Sequence, residues 1–320
     1  PFAQNPKAMK ARITPLVIAA SIACTTPIAH ADGVAHSLDH ARSALDTKEA
    51  RSAYDEAMGN TPERDGFGTH LPAGFDKQSV IAQLAPGQDA ARAVLVGVKP
   101  WPQRAGAYVA IVCLASSAEE VKKRVRFQQA TECEGVPLGK DEGDPDSVWL
   151  GVFQRGPDGA IQLVARTQRP LDAETDWSGT PIDQPDYLSD GTSKALPNQW
   201  LQFDLAPYLL RAGDYALGVR AGWSIMYSGG GAQFEALYLF RIDGDELKLV
   251  FARPMMYFRD MAGDWHRDGT RDHEMTDASV TLSVLTTSTA GFRDWQLRQR
   301  GGSWRQTFHW STADGEYIPD

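Results

Sequence analysis

The chain has 320 residues, with 41 acidic against 32 basic side chains for a formal charge of −9, and 42% of its residues are hydrophobic. That acidity excludes a surface built for nucleic acid, whose phosphates call for a basic partner, and one built for an anionic bilayer. The length is enough to bury one large core or two smaller ones.

Residues 9–31, MKARITPLVIAASIACTTPIAHA, read as a secretory signal. Lys10 and Arg12 open it, an apolar run extends from Ile13 to Ala23, and Ala29-His30-Ala31 supplies the small-x-small ending. Residues 1–31 are thus upstream sequence plus signal, with cleavage expected before Asp32. Losing Lys7, Lys10 and Arg12 and no acid takes the formal charge from −9 to −12. The expected location is periplasmic or secreted. The alternative is a lipoprotein anchored through Cys24, which follows Ser21-Ile22-Ala23. After the signal, no apolar run is long enough to span a bilayer.

Residues 32–90 form a helical lead-in with loops. The stretch SLDHARSALDTKEARSAYDEAM (37–58) predicts one amphipathic helix, stopped by Gly59-Asn60-Thr61-Pro62. Asp76 is placed to cap a short helix running to Leu84.

From there the chain repeats itself. Val94 to Tyr108 aligns without a gap on Leu201 to Tyr215 at a constant offset of 107, with apolar alternation at Val94, Val96 and Val98 matching Leu201, Phe203 and Leu205. In both copies Arg-Ala-Gly-x-Tyr opens a second strand, and each closes with an Asp-Gly hairpin, at 148–170 and 236–254. The first copy, 91–170, carries an insertion in which Ser116-Ser117-Ala118-Glu119-Glu120 predicts a capped, charged helix ending near Phe127. Residues 171–198, rich in Pro and Asp, read as a linker. The second copy and C-terminal strands occupy 199–320, with tail strands expected at 279–286, 291–299 and 303–310. The predicted fold is all-β with a short N-terminal helix, a duplicated β-meander packed as a sandwich. An incomplete propeller is the alternative, since four strands also make a blade.

Beyond Cys24, two cysteines remain. Cys113 and Cys133, an even pair in an exported chain, predict a disulfide; the alternative is a buried thiol at Cys113 and an unrelated Cys133.

The second copy has no helical insertion. Its second strand leads into Gly222-Trp223-Ser224-Ile225-Met226-Tyr227-Ser228-Gly229-Gly230-Gly231, read as a shaped loop. Trp223 and Tyr227 beside Ser224 and Ser228 would stack on a sugar ring or anchor a protein partner; the alternative puts both rings in the core.

For metal, the candidates are Asp264, His266, Asp268, Asp272 and His273, within a loop that also holds Asp260 and Glu274. Arg259, Arg267 and Arg271 are interleaved, so a salt-bridged surface competes with that reading. The acidic run 141–146 is a second calcium candidate, while His36 and His40 read as exposed polar residues. No cofactor is expected; calcium or another divalent ion is the alternative. The sequence holds no Gly-x-Ser-x-Gly, no His-Glu-x-x-His, no phosphate loop and no dinucleotide fingerprint.

FDLAPYLLRAGDYALGVR and SGGGAQFEALYLFRIDGDELKLV resemble stretches of exported, β-rich bacterial proteins of unassigned activity. The second is also similar to the periplasmic inhibitors of invertebrate-type lysozyme, β-sandwich proteins in which a Ser/Gly/Tyr loop enters the lysozyme cleft. That resemblance implies a loop made of Ser224, Tyr227, Ser228 and Gly229 to Gly231. The expected function is a non-enzymatic periplasmic module binding envelope glycan or an exported protein. A lysozyme-inhibitor-like protein and a secreted hydrolase working through Asp/Glu pairs are the alternatives.

Overall fold

The computed structural model describes residues 31–60, 65–127, 133–135, 144–188 and 193–320. Residues 1–30, which hold Cys24 and the signal segment up to His30, and residues 141–143 of the 141–146 run lie outside the described residues.

The chain is organised as two four-stranded antiparallel meanders. The lead-in supplies β1 (Ala31–Ala35), α1 (Leu38–Ala44), α2 (Lys48–Ala57) and α3 (Lys77–Leu84). The first meander is β2 (Ala93–Pro100), β3 (Ala107–Leu114), β5 (Ser147–Arg155) and β6 (Ile161–Arg166), with α4 (Ala118–Arg126) and β4 (Cys133–Glu134) inserted after its second strand. A two-stranded ribbon follows, β7 (Thr175–Asp176) with β8 (Lys194–Ala195). The second meander has β9 (Gln199–Arg211), β10 (Asp214–Tyr227), β11 (Gly230–Asp243) and β12 (Glu246–Trp265). It runs on through β13 (Arg271–Thr289), β14 (Phe292–Gln299), β15 (Arg305–Ser311) and β16 (Glu316–Pro319).

All but β7 and β8 belong to one 14-stranded mixed sheet that folds over itself into layers. The expected all-β, sandwich-like architecture is present; the separate blades of a propeller are not. The layering follows from β13, whose residues 271–279 pair with β12 while 280–289 pair with β14. The C-terminal strands then lie over the second meander. Phe251 of β12 meets Trp295 at 5.7 Å and Phe308 at 5.1 Å, and Trp295 Nε1 donates to the Leu209 carbonyl. One core joins these layers to the first meander, from Ile111 and Leu150 through Phe203, Val219 and Leu239 to Trp295.

Pairing registers in the two meanders coincide where they are most regular. Leu95↔Cys113, Val96↔Val112 and Gly97↔Ile111 correspond, 107 residues on, to Gln202↔Arg220, Phe203↔Val219 and Asp204↔Gly218. The turns also correspond, with Gly106 at φ 72° and Gly213 at φ 74°, a geometry that disfavours any side chain.

Edges of the two meanders are tied together. The carbonyls of Gly66 and Gly68 accept from Phe203 of β9 and Val98 of β2, so one extended segment serves both edge strands. Asp65 fixes this segment by accepting from the amides of Gly68 and Thr69. Those bonds, with help from His70, outweigh burial and hold its pKa down at about 2. β6 meets β12 in a single parallel pair, Arg166↔Glu246. The disulfide Cys113–Cys133, with Cα atoms 5.7 Å apart, joins β3 to β4, and β4 pairs with β9 through Cys133↔Trp200.

Local signals account for α3 and α4. Asp76 accepts from the Ser79 amide and Ser117 Oγ from the Glu120 amide, each cap sitting where the sequence puts it. α3 lays Val80, Ile81 and Leu84 on the outer face of the first meander, against Val98, Ala110 and Phe153. Burying each such side chain contributes roughly 1.5–3 kcal/mol. α4 is anchored by Arg124, buried, whose guanidinium grips both oxygens of Asp146 at 3.0 Å and Glu134 at 2.9 Å. Asp146 also accepts from the Glu134 amide, so this member of the acidic run serves an internal ion pair.

Three expectations need correction. The single helix over 37–58 is two, because buried Asp277 of β13 accepts from the amides of Asp46 and Thr47 and from Thr47 Oγ1, capping a new helix start. Residues 171–198 do more than link: Trp177, Ile182 and Leu188 are buried in the main core. The 222–231 and 259–277 segments are mostly strand, since β10 to β13 run far past the expected ends.

Candidate functional site

Two neighbouring hairpins, β10–β11 and β12–β13, extend beyond the last fully buried residues of the second meander. In β10 the alternation is decisive: Trp223, Ile225 and Tyr227 face inward, and Ser224 and Met226 outward. Trp223 is only 2% exposed, 5.2 Å from the Trp177 ring, and its Nε1 donates to the Leu196 carbonyl. The expectation of Trp223 as an exposed contact is therefore overturned: the indole fills the core. Tyr227 likewise leans on the core, half-buried, and burial pushes its phenol pKa up.

Ser228 and Gly229 form the two-residue turn, with Tyr227 paired to Gly230. Gly229 is needed here twice over. Its φ is 91°, and a Cβ would come 2.7 Å from an Arg271 guanidinium nitrogen and 2.8 Å from Ala262 Cβ. Gly230 is equally confined, since a Cβ there would run into the Asp260 carbonyl oxygen. The glycine run thus lets one hairpin tip lie directly against the next.

Arg271 holds the second tip. Its Nε donates to the Gly263 carbonyl at 2.9 Å, and its guanidinium lies 5.2 Å from the centre of the Trp265 ring. Met226 is 83% exposed and Trp265 70%. On the opposite face of the sheet from Met226, Met261 and Val34 are exposed in one cross-strand row with Glu274 between. Ser224 and Ser228 complete the exposed polar part of the first tip. Single exposed apolar residues are ordinary, but a bare Met and a bare Trp on adjoining tips form a surface.

The metal candidates do not converge as a set. His266 Nε2 lies 2.8 Å from Asp272 Oδ1, and His36 Nδ1 lies 2.9 Å from the same oxygen. The hydrogen bond to Asp272 raises the pKa of His266, and those from His266 and His36 lower that of Asp272. Asp264 lies near enough to favour charged His266. Asp268 instead accepts from the amide and hydroxyl of Thr270 within its own turn. His273 points to the other face of β13, where its Nδ1 meets Asp260 Oδ1 at 2.9 Å. His36, set aside in the sequence as an exposed polar residue, is the one that joins.

A groove of about 380 Å³ lies where β6 and β12 meet the β15–β16 hairpin, with Arg169, Asp172, Asp243, Lys248 and Trp310 in its lining. Its charges are matched internally, Lys248 to Asp243 at 2.6 Å and Arg169 to Asp172 at 3.0 Å.

Met226 and Trp265 escaped the sequence reading. A tryptophan placed inside a strongly charged run, Asp264-Trp265-His266-Arg267-Asp268, was the available signal. In comparisons with known proteins, the chain matches no family model, no curated protein and no solved structure. Among the described residues, no helix is long and apolar enough to cross a membrane.

Proposed function

We propose that this protein is a non-enzymatic, exported binding module whose paired hairpin tips insert into the cleft of a protein partner. One observation carries the reading: Met226 and Trp265, 83% and 70% exposed, stand on adjoining hairpin tips whose strands pair through Gly231↔Asp260. Tryptophan and arginine dominate protein–protein hot spots, and a rigid hairpin loses little conformational freedom on docking. The tip is convex. Small sugars are held in concave sites, so a projecting surface calls for a partner that supplies the cavity.

The disulfide fits an oxidising compartment, here taken as the periplasm. Shared strand order and register support reading the two meanders as copies of one unit. The Tyr227-Ser228-Gly229-Gly230 turn sits at the projecting end, where an inhibitor loop would have to be, and this favours a lysozyme as the first partner to try.

Binding of purified lysozymes, the invertebrate type included, and of soluble peptidoglycan fragments would be read from thermal unfolding. A ligand at 100 times its dissociation constant stabilises by about 2.7 kcal/mol. The expected result is a shift with a lysozyme that Trp265→Ala and Met226→Ser remove without lowering the unliganded midpoint. A shift with peptidoglycan alone, or one indifferent to both substitutions, would overturn the docking surface.

A further inference from the structure

We propose that His36, His266 and Asp272 form a binding site for a divalent transition ion of the zinc class, which fastens the segment after β1 to the β12–β13 turn. This does not rest on the docking reading above.

The three residues come from separate parts of the chain, 236 positions apart at the extreme, yet their ligand atoms all lie within 4.8 Å of one another. Both imidazole nitrogens already face one oxygen, at 2.9 Å and 2.8 Å. In a tetrahedral site with bonds of about 2.0–2.1 Å, ligand atoms stand about 3.3 Å apart, so these contacts need open by only about half an ångström.

The backbone under each ligand is held. The His266 amide donates to the Thr270 carbonyl at 2.8 Å, and the Gly269 amide returns to the His266 carbonyl at 3.2 Å. Asp272 lies in β13 opposite Gly263, where a Cβ would stand 3.0 Å from that of Asp272. His36 follows directly on the pair Ala35↔His273, which sets its place beside Asp272.

Chemistry selects the ion. Two imidazoles and a carboxylate suit zinc and its first-row neighbours, whereas calcium and magnesium take oxygen ligands. Neutral imidazole is the ligating form, so the nitrogen of each ring that faces Asp272 must carry no proton when it holds the ion. His36 is largely exposed, leaving a fourth position open to water or to a group from outside.

The test uses the full chain without a histidine tag, stripped with a chelator and titrated calorimetrically with zinc chloride. Cobalt(II) is added as a spectroscopic stand-in for coordination geometry. One ion per chain is expected, with the visible absorption of tetrahedral cobalt. His36→Ala, His266→Ala and Asp272→Asn should each weaken zinc binding by more than about a hundredfold, beyond the tenfold to hundredfold typical of losing an outer partner. His40→Ala and His273→Ala should leave it unchanged, and circular dichroism checks the fold of every variant. Affinity that survives His36→Ala, disappears in His273→Ala, is matched by calcium, or needs millimolar zinc would overturn the site.

Discussion

The two meanders share a strand order and diverge at their second connection. In the first, the chain leaves β3 into α4 and β4 and is tied down there by the disulfide and by Arg124. In the second, β10 turns straight into β11 through Ser228 and Gly229, and the strands keep going. Strand lengths record the difference: 8, 8, 9 and 6 residues against 13, 14, 14 and 20. The first meander thus ties its connection down, and the second leaves the corresponding end exposed. A strand extended past the core still alternates, so its outward positions can carry side chains selected for something other than packing.

Substitutions can break this contrast in order of size. The largest effect should come from Trp223→Ala, expected to cost about 3–5 kcal/mol by emptying a fully packed site, whereas Trp265→Ala should stay within about 0.5 kcal/mol. Chemical denaturation of both variants measures the pair, and equal losses would mean that the tip is part of the core. Arg124→Ala should cost on a similar scale, about 3–5 kcal/mol, because it strands buried Asp146 without its counter-charge. A loss below about 1 kcal/mol would place that insertion outside the cooperative unit.

Removing the disulfide with Cys113→Ala and Cys133→Ala comes next. The loop closed between these cysteines, 20 apart in sequence, should lose roughly 3 kcal/mol in the chain-entropy model. Since β4 also pairs with β9, hydrogen exchange should speed up along the β9 edge as well as around β4. Exchange confined to β4 would show that the crosslink does not couple the meanders.

The smallest effect sharpens the C-terminal end of the second unit. His309 of β15 lies between Asp294 at 2.9 Å and Asp320 at 2.6 Å, and its bond to Asp294 raises its pKa. Asp294 is pushed up by burial but held below its ordinary value overall by bonds from Thr287, His309 and Thr289. A raised imidazole pKa stabilises the fold fully below the unfolded value and loses that contribution as pH rises through the folded one. The midpoint gap between the parent chain and His309→Gln should therefore shrink as pH rises above the ordinary histidine range and through the raised folded value. A gap independent of pH would remove the charge from the explanation.

Much of this molecule is legible residue by residue. Turn glycines such as Gly106, Gly213 and Gly244 announce hairpins because a positive φ admits little else. Asp76 and Ser117 announce helix starts because their oxygens meet amides three residues on. Alternation in β9 shows a buried face, whereas β2 is buried on both, Leu95 in the main core and Val96 and Val98 under α3, and two cysteines in an otherwise cysteine-poor remainder pair with each other. Each of these signals depends on neighbours within a few residues, or on there being one choice.

What only the tertiary structure decides depends on neighbours from elsewhere. The break in the first helix is made by Asp277, more than two hundred residues away. Met256, Phe258 and Met275 are covered by α1 and α2, and Met226 on a comparable strand is bare, with nothing in the local sequence to separate them. The same holds for the two tryptophans. Trp223 gains a place in the core because Trp177 and Leu196, from the segment read as a linker, close over it. Trp265 lies past the reach of any covering element, and His36 finds Asp272 only because β1 adds to the edge of β13. Periodicity says that a side chain points away from the backbone's other face; what it then meets is set by packing between segments distant in sequence.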